Sequence, residues 1–321
     1  MFRHLIVTCV LAFGLCGAAY SAFPEHSIKL VVAWPPGGVT DTMGRFLAQK
    51  LGAELGQSVV VENKAGANGI IGTRMVANAK PDGYTLEMVT AETHAINPYL
   101  YKNLGYSPTK SFDALALLGT ASFVLAERNN FAPKTATELI AYAKANPSKV
   151  NAGTYGVGST SDLALAFFEQ ATKTEYTQVP YQGVAPTVNA LIAGQVDIAF
   201  VNAINVVAFA KEGRVRVLGA ASSLRHPLLP NVPTLEEQGL KNFRAGNWYG
   251  IVAPSGIQAD VARRLEEAIK GIAHSTEFRN KLESIGVENT YKDARAFKTF
   301  LETENGRYAQ IIKERKIVVS K

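Results

Sequence analysis

From Ile28 onward the chain alternates two hydrophobic patterns. One is the short apolar run, as in Ile28 to Ala33, interrupted only by Lys29. Such runs predict strands over 28 to 34, 58 to 62, 84 to 90, 122 to 127, 150 to 154, 196 to 201, 215 to 221 and 248 to 253. The other places apolar residues three and four apart, as in Met43, Phe46, Leu47, Leu51 and Leu55. It predicts helices over 41 to 55, 69 to 79, 136 to 145, 160 to 172, 185 to 193 and 203 to 212. Strands that alternate with amphipathic helices point to an α/β fold with helix-covered sheets. Thr135 with Glu138, and Thr234 with Glu237, have the spacing at which each side chain satisfies an N–H at a helix start. Asn146-Pro147 stops a helix, and Pro81-Asp82-Gly83 turns the chain into a strand. After Pro254 the pattern is purely helical. Val261, Leu265, Ile269 and Ile272 form one stripe, and Phe297, Phe300, Leu301, Tyr308, Ile311 and Ile312 another, both expected to pack back onto the first lobe.

Two junctions stand out. Trp34-Pro35-Pro36-Gly37-Gly38-Val39-Thr40-Asp41 links a buried strand to a helix start, and Gly156-Val157-Gly158-Ser159-Thr160 does so again after Val150 to Thr154. Glycine lets the backbone approach a ligand, and a helix start presents unpaired N–H donors with a partial positive charge, so each corner suits a small anion. Two such corners predict a ligand clamped between two lobes, joined by crossovers near 121 to 123 and 246 to 250. Ser159 and Asp162 also fit a capping box, so Asp162 either caps the helix or faces ligand. Asp41 either offsets the dipole of its helix or receives a ligand ammonium. Trp34 and Trp248, near strand ends, either line the cleft or pack.

Residues 1 to 22 read as a cleavable export signal: Arg3, the apolar run Leu5 to Ala19, then Tyr20-Ser21-Ala22. Both cysteines of the chain, Cys9 and Cys16, fall inside it. The mature chain therefore offers no disulfide, thiolate nucleophile or cysteine metal site. The net charge of +6 is dispersed. Its densest cluster, Lys313-Glu314-Arg315-Lys316, contains an acid and closes a helical pattern, which argues against nucleic acid and for solvated surface. The histidines His26, His94, His226 and His274 show no metal spacing. Neither a P-loop nor a G-x-S-x-G elbow occurs, and Gly66-Ala67-Asn68-Gly69-Ile70-Ile71-Gly72 lacks dinucleotide spacing. No catalytic residue, metal or cofactor is expected.

An ordered set of weaker motifs runs through the chain: Val59-Val60-Val61-Glu62-Asn63, Pro81-Asp82-Gly83-Tyr84-Thr85-Leu86, His94-Ala95-Ile96-Asn97-Pro98-Tyr99, Val179-Pro180-Tyr181-Gln182-Gly183, Leu229-Pro230-Asn231-Val232-Pro233-Thr234 and Trp248-Tyr249-Gly250-Ile251-Val252-Ala253-Pro254. With the two corners, this set resembles the Bug-type substrate-binding proteins of tripartite tricarboxylate transporters over essentially the whole mature chain. The resemblance implies a monomeric periplasmic receptor with two Rossmann-like lobes of helix-covered mixed sheet, like the type II periplasmic binding proteins. It implies a small organic carboxylate or amino acid as ligand and membrane permease subunits as partners. The expected division is a signal peptide at 1–22, one lobe from 23–122 and 249–321, and a second lobe from 123–248. The ligand-binding residues it implies are Trp34, Pro36, Gly37, Gly38, Thr40, Asp41, Thr93, Gly158, Ser159, Thr160, Asp162 and Asn202, with Thr90 to His94 as a third wall. Three positions depart from the family pattern. Asp162 replaces a frequent His, Asn202 a frequent acid, and Trp34 a smaller aromatic, so ligand identity stays open. A sensory subunit for a membrane signalling partner, and an exported hydrolase using Ser159 or Asp41, are the alternatives.

Overall fold

The computed structural model describes residues 23–318. The expected signal segment 1–22 lies outside the described residues. The first half of the chain runs β1 (Ile28–Val32), α1 (Val39–Leu55), β2 (Val59–Asn63), α2 (Ile70–Ala77), β3 (Thr85–Thr90), a π-helical turn (Glu92–Ile96), α3 (Asn97–Leu100) and the long β4 (Phe112–Arg128). It continues with α4 (Ala136–Ala145), β5 (Asn151–Thr154), α5 (Thr160–Thr172), β6 (Thr177–Pro180), α6 (Val184–Ile192), β7 (Ile198–Asn202), α7 (Val207–Lys211) and β8 (Val215–Ala220). Then come β9 (Gly246–Pro254), α8 (Ala259–Ala273), α9 (Thr276–Ser284), β10 (Lys292–Asp293) and α10 (Ala294–Glu314).

The sheet order is β2-β1-β3-β9-β4-β7-β5-β6, with β8 and β10 also paired to β4. The pairs β1–β2, β1–β3, β5–β6 and β5–β7 are parallel, whereas β4 and β9 run antiparallel to their neighbours. The architecture is a two-lobed, mixed α/β fold. In β4 the pairing changes hands: Ser122 opposes Gly246 of β9, and the next residue, Phe123, opposes Asn202 of β7. A Cβ on Gly246 would lie 2.3 Å from the Ala121 carbonyl oxygen, so only glycine lets the two crossing strands approach here.

Side chains alternate across each strand and divide the core by face. On one face of the first half, Ile28, Leu30, Val32, Leu86, Met88 and Ile251 pack under α1 and α8 through Met43, Leu47, Leu265 and Ile269. On the other face, Val31, Val89, Val252 and Trp248 meet Phe297, Leu301 and Ile311 of α10. In the second half Phe123, Leu125, Ile198 and Phe200 lie under α4 and α5, and Val124, Ala126, Ala199 and Val201 under α6.

Several expectations are corrected. The tail is not purely helical, because Lys292 and Asp293 pair with Leu117 and Ala116. Nor does it close on the first lobe alone. Tyr308 and Ile311 share a buried cluster with Leu163 and Ala166 of α5, and the Arg307 guanidinium lies 4.1 Å from the Phe167 ring centre. Thr234 and Glu237 make their reciprocal bonds, at 2.9 and 2.8 Å, yet close a turn with no helix behind it. The helix expected over 203 to 212 is a 3-10 turn, Ala203–Asn205, followed by the short α7. Residues 112 to 121 form the first part of β4 because strands flank them. Their run of Ala and Leu lacks the β-branched residues that mark a strand in sequence.

Candidate functional site

At the first corner the chain leaves β1 at Val32 and turns through Gly37, whose φ of +90° suits glycine. Gly38 caps α1 with an extended backbone (φ −78°, ψ 174°) and contributes no side-chain oxygen. The amides of Gly38, Val39, Thr40 and Asp41 consequently have no acceptor among the described residues, as expected for an uncapped helix start. The Asp41 carboxylate folds back onto its own loop. It accepts from the Gly37 N–H at 2.9 Å, from Asn63 Nδ2 at 2.9 Å and from Arg45 Nε at 3.1 Å. Asn63 also donates to the Trp34 carbonyl at 3.0 Å, tying the corner to β2. Burial tends to raise the Asp41 pKa, but the bonds from Arg45, Gly37 and Asn63 outweigh it and hold the carboxyl below its ordinary value. Asp41 is thus an ionised brace with its lone pairs engaged, not an open receiver for a ligand ammonium.

The second corner repeats the device. Gly158 has φ +76°, and its N–H donates to Asp162 Oδ2 at 2.7 Å, four residues on, as Gly37 does to Asp41. Ser159 stands where Gly38 stands, with the same extended backbone, but it brings a hydroxyl that accepts the Asp162 N–H at 3.2 Å. The Ser159 N–H bonds the Gly156 carbonyl at 3.1 Å. Only the Thr160 and Ser161 amides of this helix start lack an acceptor among the described residues. The Ser159 hydroxyl therefore caps the helix, while the Asp162 carboxylate takes the Gly158 N–H and not that of the N-cap residue. Its other oxygen accepts from Gln178. Without a basic partner its pKa is pushed up to about 6, chiefly by burial; the Gly158 N–H opposes the rise and Glu169 adds to it.

The corners are joined through the turn after β3. Glu92, 6% exposed, accepts from the Thr160 hydroxyl at 3.0 Å and from Asn247 Nδ2 at 2.9 and 3.2 Å. Asn247, at the start of β9, is itself fixed because its Oδ1 accepts from the Ala91 and Trp248 amides at 3.1 and 2.9 Å. The turn is held further by Tyr106 OH, which donates to the Thr93 carbonyl at 2.7 Å, and by Asn305 of α10, which donates to the His94 carbonyl at 2.9 Å. Thr93 points inward: its hydroxyl is fully buried against Thr90 and His94 Nδ1. His94 is buried among Tyr106 and Phe112, and desolvation lowers its pKa to about 3, so it stays neutral.

The remaining candidates divide. Pro36, Gly37 and Gly38 are exposed on their loop, whereas Thr40 is buried at 8% exposure. Trp34 is half-buried, and its ring converges with Thr93 above Gly69: a Cβ there would meet Thr93 Cγ2 at 2.6 Å and Trp34 Cζ2 at 3.6 Å. Trp248 lies inside β9 at 2% exposure, edge-on to Phe297 and Phe300, and is a packing residue. Asn202 ends β7, half-buried and paired with Phe123 at the strand crossing. Glu92 and Asn247 were not singled out from sequence. The available signal was an acid inside the otherwise apolar and neutral stretch Val89 to Ile96. The cavity of about 580 Å³ at Thr120, Ser122, His226 and Tyr291 is lined by none of the candidates. The site rests on converging donors instead. No group of His, Cys, Asp and Glu among the described residues could hold a metal ion, and no helix there is long and apolar enough to cross a membrane.

Residues 43–317 match the model of the tripartite tricarboxylate transporter family receptor, TctC. A UPF0065 protein of Bordetella pertussis is 32% identical over 309 residues, 96% of this chain and 95% of its own. Among solved structures, the periplasmic binding protein BugD is similar at 32% identity and TM-score 0.76, covering 92% of this chain and 99% of its own. MatC from Rhodopseudomonas palustris, with bound malate, is similar at 31% identity and TM-score 0.76, covering 90% and 100%.

Proposed function

The chain belongs to the TctC receptor family of tripartite tricarboxylate transporters, and from that premise we propose that it is a periplasmic solute receptor for a small organic carboxylate. The observation that carries the ligand class is the uncapped start of α1, where four successive amides have no acceptor among the described residues. A carboxylate there gains hydrogen bonds of about 1.5–3 kcal/mol each and about 0.3–1 kcal/mol from the helix end. The malate bound to the similar MatC agrees with this class.

In this reading Gly38 and Thr40 supply backbone donors, and Gly37 and Asp41 hold the loop open. Trp34, Pro36, Thr93 and Asn202 shape the walls, and Gly158, Ser159, Thr160 and Asp162 form the opposing corner. The lobes comprise 23–122 with 249–321, and 123–248, and they close about the strand crossing. The receptor carries out no chemistry, works as a monomer and hands its ligand to membrane permease subunits. Residues 1–22 direct export and are cleaved from the exported chain.

Isothermal calorimetry of the mature chain against short mono- and dicarboxylates, with the matching amides as controls, tests the ligand class. Binding of an acid and not of its amide is expected. Equal binding of both would overturn the reading. Intact-mass analysis of periplasmic protein should give a chain beginning near Phe23; a mass retaining Met1 to Ala22 would overturn the export assignment.

A further inference from the structure

We propose that Glu92 selects the ligand by its second functional group, so that the receptor favours a carboxylate bearing a primary ammonium over a plain diacid. This rests on the carboxylate reading above. Glu92 is more than nine-tenths buried, and all three of its hydrogen bonds come from neutral donors, Thr160 Oγ1 and Asn247 Nδ2. Among the described residues it forms no salt bridge, whereas the Asp41 carboxylate pairs with Arg45.

Its position decides what it meets. The Thr160 hydroxyl on which it rests belongs to the first residue of α5, at the two amides that remain without acceptors there. The adjacent residue Thr93 shares the space above Gly69 with Trp34, which leads into the first corner. Glu92 therefore stands between the corners, on the α5 side. A ligand carboxylate placed at α5 would face this carboxylate, whose hydrogen bonds all come from neutral donors, and like charges at short range in a poorly solvated site repel strongly. A ligand carboxylate at the start of α1 avoids that repulsion. The group it then extends toward α5 meets a buried acid with no cationic partner, which an ammonium neutralises and a second carboxylate does not.

Asn247 explains why the acid does not swing away. Its amide holds both Glu92 oxygens while its own carbonyl is held by two backbone N–H groups of the hinge strand and the turn. The Glu92 carboxylate is thus preoriented, and the cost of ordering it is met on folding and not on binding.

The test titrates the full mature chain with pairs that differ only by an ammonium: succinate and L-aspartate, glutarate and L-glutamate, butyrate and 4-aminobutyrate. In the wild type, the ammonium member of the tightest pair should bind at least about thirtyfold more tightly. In Glu92→Gln, with far-UV dichroism unchanged, that ratio should fall below about threefold. The wild-type ratios decide the matter even if the variant does not fold. A plain acid that matches or exceeds its amino partner in the wild type would overturn the assignment, as would an amino preference that survives Glu92→Gln. A latch that merely joins the lobes would weaken every ligand alike and leave the ratios in place. If no member of any pair binds the wild type, the carboxylate reading itself fails and the assignment falls with it.

Discussion

The two helix corners have one backbone plan and opposite carboxyl pKa shifts. Each places a glycine with positive φ four residues before an aspartate that accepts its N–H: Gly37 before Asp41, Gly158 before Asp162. At α1 the N-cap position is glycine and the aspartate is braced by Arg45 and Asn63, so the amides stay open and the carboxyl stays ionised. At α5 the N-cap position is serine and the aspartate is buried with Gln178, so two more amides are occupied, those of Ser159 and Asp162, and the carboxyl titrates near 6. The residue at the cap leaves the Asp41 amide open at α1 and occupies the equivalent Asp162 amide at α5. The similarity of the two motifs along the chain conceals that difference.

The strongest way to break the comparison is to give the first corner the cap of the second. Gly38→Ser leaves the backbone unstrained, since Gly38 has φ −78° and a Cβ there meets no heavy atom within 4 Å. The new hydroxyl should accept the Asp41 N–H and withdraw it from ligand. The expected outcome is an affinity loss of about tenfold to a hundredfold by calorimetry, one charge-assisted bond of about 1.5–3 kcal/mol, with no loss of thermal stability. Next in size is Asp41→Ala, which strands the Gly37 N–H, Asn63 and Arg45. Denaturant unfolding should show a loss of about 1–3 kcal/mol. Ser159→Ala removes the cap of α5 and should cost about 1 kcal/mol in denaturant unfolding.

The smallest effect concerns pH, and its sign separates the two acids. The Asp41 pKa is lower in the folded state, so its contribution is present above the unfolded value near 3.8 and is lost as pH falls below it. The Asp162 pKa is higher in the folded state, at about 6, so the native protein binds the extra proton and loses stability as pH rises from about 3.8 to about 6. Asp162→Asn keeps an oxygen for the Gly158 N–H and removes that penalty. Relative to wild type, the variant should be more favourable at pH 7.5 than at pH 4.5 in urea unfolding. The deficit of Asp41→Asn should instead shrink as pH is taken from 7 to 3. Parallel pH responses of the two variants would erase the electrostatic distinction between the corners.

The sequence by itself determined the alternation of strands and helices, both corners, the Ser159 cap and the faces of α8 and α10. These depend on spacing of a few residues along the chain, which the local geometry of a helix or strand converts directly into contact. It also supported the two-lobed fold, through the order of its motifs. Tertiary structure alone decided what the corners do. Asp41 is ionised because Asn63 and Arg45 close on it, and Asn63 is 22 residues away. Asp162 meets Gln178 only because β5 and β6 pair in register. Glu92 gains its partners because Thr160, 68 residues on, and Asn247, 155 residues on, converge upon it at the strand crossing. The charge state and accessibility of a polar group are set by burial and by its partners, and those arise from sheet register and lobe packing, which no local spacing encodes.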